Sequence, residues 1–325
     1  MRVLFLVHGR ERPSTRYRVF QYLPYLEGNG IRTKVIPFPP GLRDTFRLYP
    51  LLKGHDVVFL QRRRPSWPVL QLLKAASRRL IYDFDDAIMY RNSSQNPFSA
   101  TRRRAFARTV KICERVIAGN SFLAEEAKKY TEKVAIVPTV IDVRKYPVKG
   151  KRGGDKITIG WIGSASTLPY LQDIRPVFEE LGKKYRNLQL KIICDGFFDC
   201  ESLPVIKKLW KEEEEVDDLK SCDIGVTPSR DDLWSRGKCN LKTLQYLAVG
   251  VPVVCTPVGS NRDIVRDGIN GFWARNLQEW VEKLSVLIED PSLRERMGVR
   301  GREIVEEEFS LDVWAPRFCR ILEGS

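Results

Sequence analysis

The sequence predicts an α/β chain of two doubly wound units, each a parallel sheet covered by helices. Three observations point there. Short, mostly apolar runs recur without strict alternation, as in strands buried on both faces. Helical patterns lie between those runs. The alternation lapses in a Gly- and Lys-rich stretch and then resumes, in a chain of 325 residues, long enough for two cores.

In the first half, strands are expected at Arg2–Val7, Thr33–Phe38, Asp56–Leu60, Arg79–Asp83, Arg115–Ala118 and Val134–Val137. Helices are expected at Tyr17–Glu27, Val69–Ser77, Thr101–Glu114 and Phe122–Tyr130. The first of these ends at Gly28-Asn29-Gly30, a C-cap signal. Residues 145–155 lack apolar periodicity and read as a linker. The second half offers strands at Ile157–Trp161, Gln189–Cys194, Asp223–Thr227 and Pro252–Cys255. Its helices are expected at Tyr170–Lys184, Val216–Ser221 and Leu241–Ala248, with two more between Leu277 and Glu308. Ligands of doubly wound sheets bind beyond the carboxyl ends of the strands, so two facing units place the site in the cleft between them.

Charge is unevenly distributed. Residues 1–150 hold 29 Lys and Arg against 12 Asp and Glu, and residues 151–325 hold 26 against 29. The basic half points to an anionic partner: a membrane surface, a phosphorylated acceptor or nucleic acid. Aromatic platforms and recognition motifs for nucleic acid are missing, which disfavours that partner. Seven dispersed cysteines without a Cys-x-x-Cys pair fit reduced thiols in the cytoplasm. With only His8 and His55, zinc is not expected. The apolar N-terminus is too short for a signal peptide and reads as a buried strand.

Three motifs in the second half suit a phosphorylated ligand. Gly160-Trp161-Ile162-Gly163-Ser164 carries a strand into a loop before a helix; Gly163 permits close backbone approach, and hydroxyls and helix amides can hold a diphosphate. Trp234-Ser235-Arg236-Gly237-Lys238 opens the helix that carries Lys242 and Gln245. Cations at a helix N-terminus oppose the macrodipole, a conflict that an anionic ligand offsets. Gly259-Ser260-Asn261 repeats the strand–loop–helix arrangement.

Residues 160–272 resemble the C-terminal domain of retaining glycosyltransferase family four, of GT-B architecture. The likeness rests on the Gly-x-x-Gly-Ser strand end, Tyr246-Leu247-Ala248-Val249-Gly250-Val251-Pro252-Val253-Val254, and the run from Val258 to Gly271. Val137-Pro138-Thr139-Val140-Ile141-Asp142 is similar to the family's inter-domain segment, with Thr139-Val140 departing from it. The resemblance implies two facing Rossmann-like domains with an inter-domain cleft: residues 1–148 on the acceptor side, 149–310 on the donor side, and 311–325 as a helix crossing back. It also implies a nucleotide-sugar donor, retention at the anomeric carbon, and no metal or other cofactor. Gly163, Ser164, Arg236, Lys238, Lys242, Gln245, Gly259, Ser260 and Asn261 are the implied donor contacts, with Arg236, Lys238 and Lys242 stabilising the departing diphosphate. The family's Glu-x7-Glu pair is replaced by Gly237 and Gln245. Gln245 retains hydrogen-bonding capacity, and Gly237 cannot stand in for a carboxylate.

The loop after the first strand, with His8, Ser14 and Arg16, is expected on the acceptor side. Asp83, Asp85 and Asp86 form the densest acidic cluster of the basic half. Asp85 or Asp86 suits orienting or deprotonating an acceptor hydroxyl; the cluster also suits an Asp-x-Asp metal site, a haloacid-dehalogenase-like phosphatase centred on Asp83, or ion pairing to the neighbouring arginines. Arg62-Arg63-Arg64-Pro65-Ser66-Trp67 has the composition of a membrane-interface anchor. Arg104, Arg108, Lys111 and Arg115 share one expected helix face. The expectation is a cytoplasmic transferase of polysaccharide biosynthesis, peripheral on the inner face of the cell membrane, acting on a glycan or lipid-linked acceptor. The alternatives are a nucleotide-sugar-binding protein without transfer activity and the phosphatase.

Overall fold

The computed structural model describes residues 1–92, 95–150 and 155–324. Residues 151–154 of the expected linker lie outside the described residues. The chain forms two compact units. Unit one comprises Met1–Val140, Asp232–Cys239 and Leu311–Ser325, and unit two comprises Ile141–Asp231 and Asn240–Ser310.

Unit one is built on strands β1 (Arg2–Val7), β2 (Arg32–Pro37), β3 (Val57–Gln61), β4 (Arg79–Phe84), β5 (Arg115–Ala118) and β6 (Val134–Ile136). They form one parallel sheet in the order β2-β1-β3-β4-β5-β6. Successive strand side chains point to opposite faces, so each strand feeds two cores. Leu4, Leu6, Val58, Leu60 and Tyr82 join Leu70 and Phe106 on one side. Val3, Phe5, Val7, Phe59 and Ile81 join Tyr22 and Phe318 on the other. Phe318 lies on the helix Leu311–Glu323, its ring 4.5 Å from Tyr22 and 5.7 Å from Phe59.

Unit two repeats the plan with β7 (Ile157–Ile162), β8 (Leu188–Ile193), β9 (Val205–Lys208), β10 (Ile224–Thr227), β11 (Val253–Cys255) and β12 (Gly271–Trp273). Its parallel sheet runs β12-β11-β10-β7-β8-β9. Ile159, Trp161, Leu190, Ile192, Val226 and Val254 pack with Phe178 and Leu284 of the helices Arg175–Lys184 and Leu277–Glu289.

Several local expectations are corrected. The expected helix Tyr17–Glu27 is three pieces: Pro13–Arg18, the 3-10 turn Phe20–Tyr22 and Leu23–Gly28, whose start carries Pro24. Proline lacks the amide that a continuous helix needs there. The helix Ala100–Ile112 ends before Arg115, the first residue of β5, so the basic helix face keeps only Arg104, Arg108 and Lys111. Strands β9 and β12 were not expected from the sequence pattern. None of the seven cysteines forms a disulfide among the described residues. Among the described residues, no helix is long and apolar enough to cross a membrane.

Candidate functional site

In unit one, β4 delivers the acidic cluster. Asp83 is fully buried and is claimed by Arg18, which also donates to the carbonyls of Val137 (2.5 Å) and Pro138 (3.1 Å). Burial raises the Asp83 pKa, and the Arg18 cation opposes that rise. Asp83, expected on the acceptor side or as a phosphatase nucleophile, is thus placed in the core of unit one. Its carboxylate is sealed in the core and held by a guanidinium. Among the described residues, no group of three or more His, Cys, Asp or Glu is arranged to hold a metal ion.

Asp85 and Asp86 follow at the strand end. Asp86 accepts from Arg62 and from Lys238 Nζ at 2.9 Å, while Arg62 lies 3.6 Å from Asp85. Burial raises the Asp86 pKa against the opposing pull of Lys238 and Arg62. Lys238 arrives on the segment Asp232–Cys239. Asn120 Nδ2 ties that segment down by donating to the carbonyls of Arg236 (3.1 Å) and Lys238 (3.3 Å), and Cys239 Sγ donates to the Asp85 carbonyl at 3.3 Å. Gly237 allows the approach: a Cβ there would lie 2.6 Å from the Ala87 Cβ and 2.7 Å from its amide nitrogen. The missing carboxylate thus has a packing reason, because only glycine fits against the acidic turn. Arg236 is exposed.

The loop after β1 is organised by Gln61, which the sequence pattern did not single out. Its Oε1 accepts from Thr15 Oγ1 (3.0 Å) and the His8 amide (3.3 Å), and its Nε2 donates to the Ser14 carbonyl (3.0 Å). A polar residue closing the apolar run Val57–Leu60 was the available signal. Arg16 is half-buried beside Tyr17. Burial and the charges of Arg63, Arg62 and Arg12 lower the His8 pKa to about 4, so the ring is neutral at physiological pH.

In unit two, the carboxyl end of β7 brings Gly163, Ser164 and Lys242 together. The Lys242 ammonium sits 4.5 Å from the centre of the Trp161 ring and donates to Thr167 Oγ1 at 3.2 Å. A Cβ at Gly163 would come 2.7 Å from Lys242 Nζ and 2.3 Å from the Trp161 ring. The Ser164 hydroxyl is exposed and within 2.9 Å of Ser166 Oγ. Gly259 has φ +59 in the loop before Asn261, while Ser260 is buried.

Two expected donor contacts, Gln245 and Asn261, lie in the interior of unit two. Gln245 is buried, and its amide donates to Tyr146 Oη (3.1 Å) and to Glu215 Oε1 (2.6 Å). Asn261 is buried, accepting from Thr243 Oγ1 (2.7 Å) and donating to the Thr256 carbonyl (3.0 Å). Both side chains knit the interior of unit two. The acid at Glu215 lies 30 residues from Gln245, beyond the reach of local pattern.

Residues 171–290 match the family described as Glycosyl transferases group 1. A stretch of 131 residues is 28% identical to an uncharacterised glycosyltransferase of Methanocaldococcus jannaschii, covering 40% of this chain and 34% of that protein. A stretch of 145 residues is 25% identical to the N-acetyl-alpha-D-glucosaminyl L-malate synthase of Bacillus anthracis, covering 43% and 38%. The chain thus spans about a third of the length of these curated relatives. Among solved structures, Anabaena HepE in complex with UDP and glucose superposes with a TM-score of 0.75 over 99% of both chains, at 15% identity. Sucrose-phosphate synthase of Thermosynechococcus elongatus gives 0.75 over 99% and 98%, at 12% identity. The chain has the GT-B fold of these structures, and its residues 171–290 match the model of the Glycosyl transferases group 1 family.

Proposed function

We propose that the chain is a retaining, metal-independent glycosyltransferase. It moves a sugar from a nucleoside-diphosphate sugar to a hydroxyl of a glycan or lipid-linked acceptor in polysaccharide biosynthesis. The observation that carries this is the Lys242 ammonium held over Trp161 beside Gly163, at the strand end of a unit with a group 1 match. Doubly wound sheets bind ligands at that end, and a cation there neutralises a diphosphate. UDP is the first nucleotide to test, because HepE was solved with it.

In this proposal the Ser164 hydroxyl and the loop of Gly259 and Ser260 assist Lys242 with the diphosphate. Arg236 and Lys238 offset the charge that grows on the leaving group. Asp85 and Asp86 orient the acceptor hydroxyl, and Asp86 also positions Lys238. His8, neutral, together with Ser14 and Arg16 serves the acceptor side. The test is chromatographic detection of nucleotide released from UDP- and GDP-sugars with and without acceptor extracts. Release should require acceptor and should fall at least a hundredfold in Lys238→Ala; a normal rate in that variant removes Lys238 from the mechanism.

A second proposal, a nucleotide-sugar-binding protein without transfer, is favoured by Gly237 and by the engagement of Gln245 with Glu215. It predicts nucleotide binding and no release with any acceptor.

For location, we propose a cytoplasmic protein with unit one resting on the inner face of the membrane. Leu42, Phe46, Tyr49 and Trp67 are exposed, Phe46 at 66%. Lys53 lies 5.8 Å from the Tyr49 ring and Arg108 lies 5.7 Å from the Trp67 ring. Exposed aromatics flanked by cations suit an anionic lipid interface.

A further inference from the structure

Unit one carries an open cavity of about 620 Å³, within the size range of small-ligand sites. His8, Phe38, Arg63, Arg64, Arg102 and Trp234 line it. Arg63 donates to the His8 carbonyl (3.1 Å), Arg64 to the Ile88 carbonyl (2.6 Å) and Arg102 to the Tyr90 carbonyl (2.6 Å). Among the described residues, none of these three cations meets a carboxylate. The nearby carboxylates of Asp85 and Asp86 are engaged by Arg62 and Lys238. Arg63 Nε and His8 Nδ1 are buried without hydrogen-bond partners among the described residues.

Such a wall is electrostatically incomplete. Burial lowers the Arg63 pKa and Arg12 adds to the effect. Burial likewise lowers that of Arg64, with Arg102 contributing. Arg12 repels Arg63 and Arg102 repels Arg64, and an anion bound in the cavity would offset both. The planar guanidinium fork matches the paired oxygens of phosphate and carboxylate. Phe38 and Trp234 add flat apolar faces suited to one side of a sugar ring. The Arg63 guanidinium carbon lies 5.9 Å from the Phe38 ring centre.

We propose that this cavity binds the phosphate or carboxylate of an anionic acceptor, with Arg63, Arg64 and Arg102 as its recognition residues. The word acceptor rests on the transferase proposal above; the anion site itself does not. A neutral glycan would leave the three cations unmatched, so the cavity selects for charge.

The test uses the full chain and calorimetry with three probes: glucose 1-phosphate, glucuronate and glucose. The variants are Arg64→Met and Arg102→Met. Arg64→Lys and Arg102→Lys keep the charge and remove the fork, so a folding defect in the methionine variants leaves the test intact. UDP binding is measured in parallel on every protein. At least one anion should bind and glucose should not, with each variant weakening the anion at least tenfold and leaving UDP binding unchanged. Preference between the two anions assigns phosphate or carboxylate. Bound anion should also raise the His8 midpoint above about 4, read from its ring protons by NMR. No binding by either anion, or equal binding by wild type and all variants, overturns the site. Failure of the transferase proposal is separate: UDP would not bind while the anion still did.

Discussion

Lys238 Nζ donates to Asp86 Oδ1 at 2.9 Å, joining residues 152 positions apart within unit one. The contact places the Lys238 loop on the acidic turn after β4 and leaves the Lys238 side chain 30% exposed. It depends on Gly237, whose missing side chain lets the loop settle against Ala87.

Placing a carboxylate at position 237 should therefore harm the fold. Gly237→Glu pushes a side chain into the Ala87 backbone, an overpacking that costs about 1–3 kcal/mol. Urea unfolding should show a lower midpoint, with Gly237→Ala affected in the same direction. A midpoint equal to wild type would mean that the loop does not pack on the turn.

The Arg18–Asp83 pair gives a second expectation. Removing one partner of a buried ion pair strands the other charge and costs roughly 3–5 kcal/mol, whereas apolar replacement of both is much milder. Arg18→Met should destabilise strongly, and Arg18→Met/Asp83→Leu should recover most of the loss. A double variant as unstable as the single one would show that the pair fixes the fold in another way.

How far the sequence could be read follows from the range of each signal. Buried strands were legible because apolar runs are local: β1 and β5 were expected over the same residues that form them. β9 was missed because Val205–Lys208 is half lysine, and β12 because Gly271–Trp273 is three residues long. The strand–loop–helix turn at Gly163 was legible from the order of its residues. The roles of Gln61, Arg18 and Glu215 were not, because each partners residues at least 30 positions away. Gln245 and Asn261 lay in recognisable motifs, and only tertiary packing shows that their side chains face inward.

His8 sets a pH dependence. Burial and the charges of Arg63, Arg62 and Arg12 lower its pKa from 6.5 to about 4. A depressed histidine favours the neutral folded state, so this contribution to stability is complete above pH 6.5. It declines as the pH falls toward about 4, where the unfolded chain binds the proton and the folded chain resists it. His8→Gln should flatten the stability profile over that window, measured by denaturant unfolding at stepped pH. An unchanged slope would place the His8 ring outside the arginine field.

Membrane association should depend on the exposed aromatics of unit one. In sedimentation with vesicles, phosphatidylglycerol should retain the chain and phosphatidylcholine should not, and added salt should release it. Phe46→Ser and Trp67→Ser should each reduce the retained fraction. Equal retention by neutral vesicles would contradict an electrostatic interface.

The most direct measurement for the transferase proposal is the unfolding midpoint of the full chain and of Lys242→Ala, with UDP, GDP and their sugar conjugates. A ligand that binds only the folded state raises that midpoint by mass action. At least one nucleotide should raise the wild-type midpoint by several degrees, and Lys242→Ala should lose most of the shift while remaining folded. No shift with any nucleotide, or an undiminished shift in Lys242→Ala, would contradict a donor diphosphate held beside Gly163.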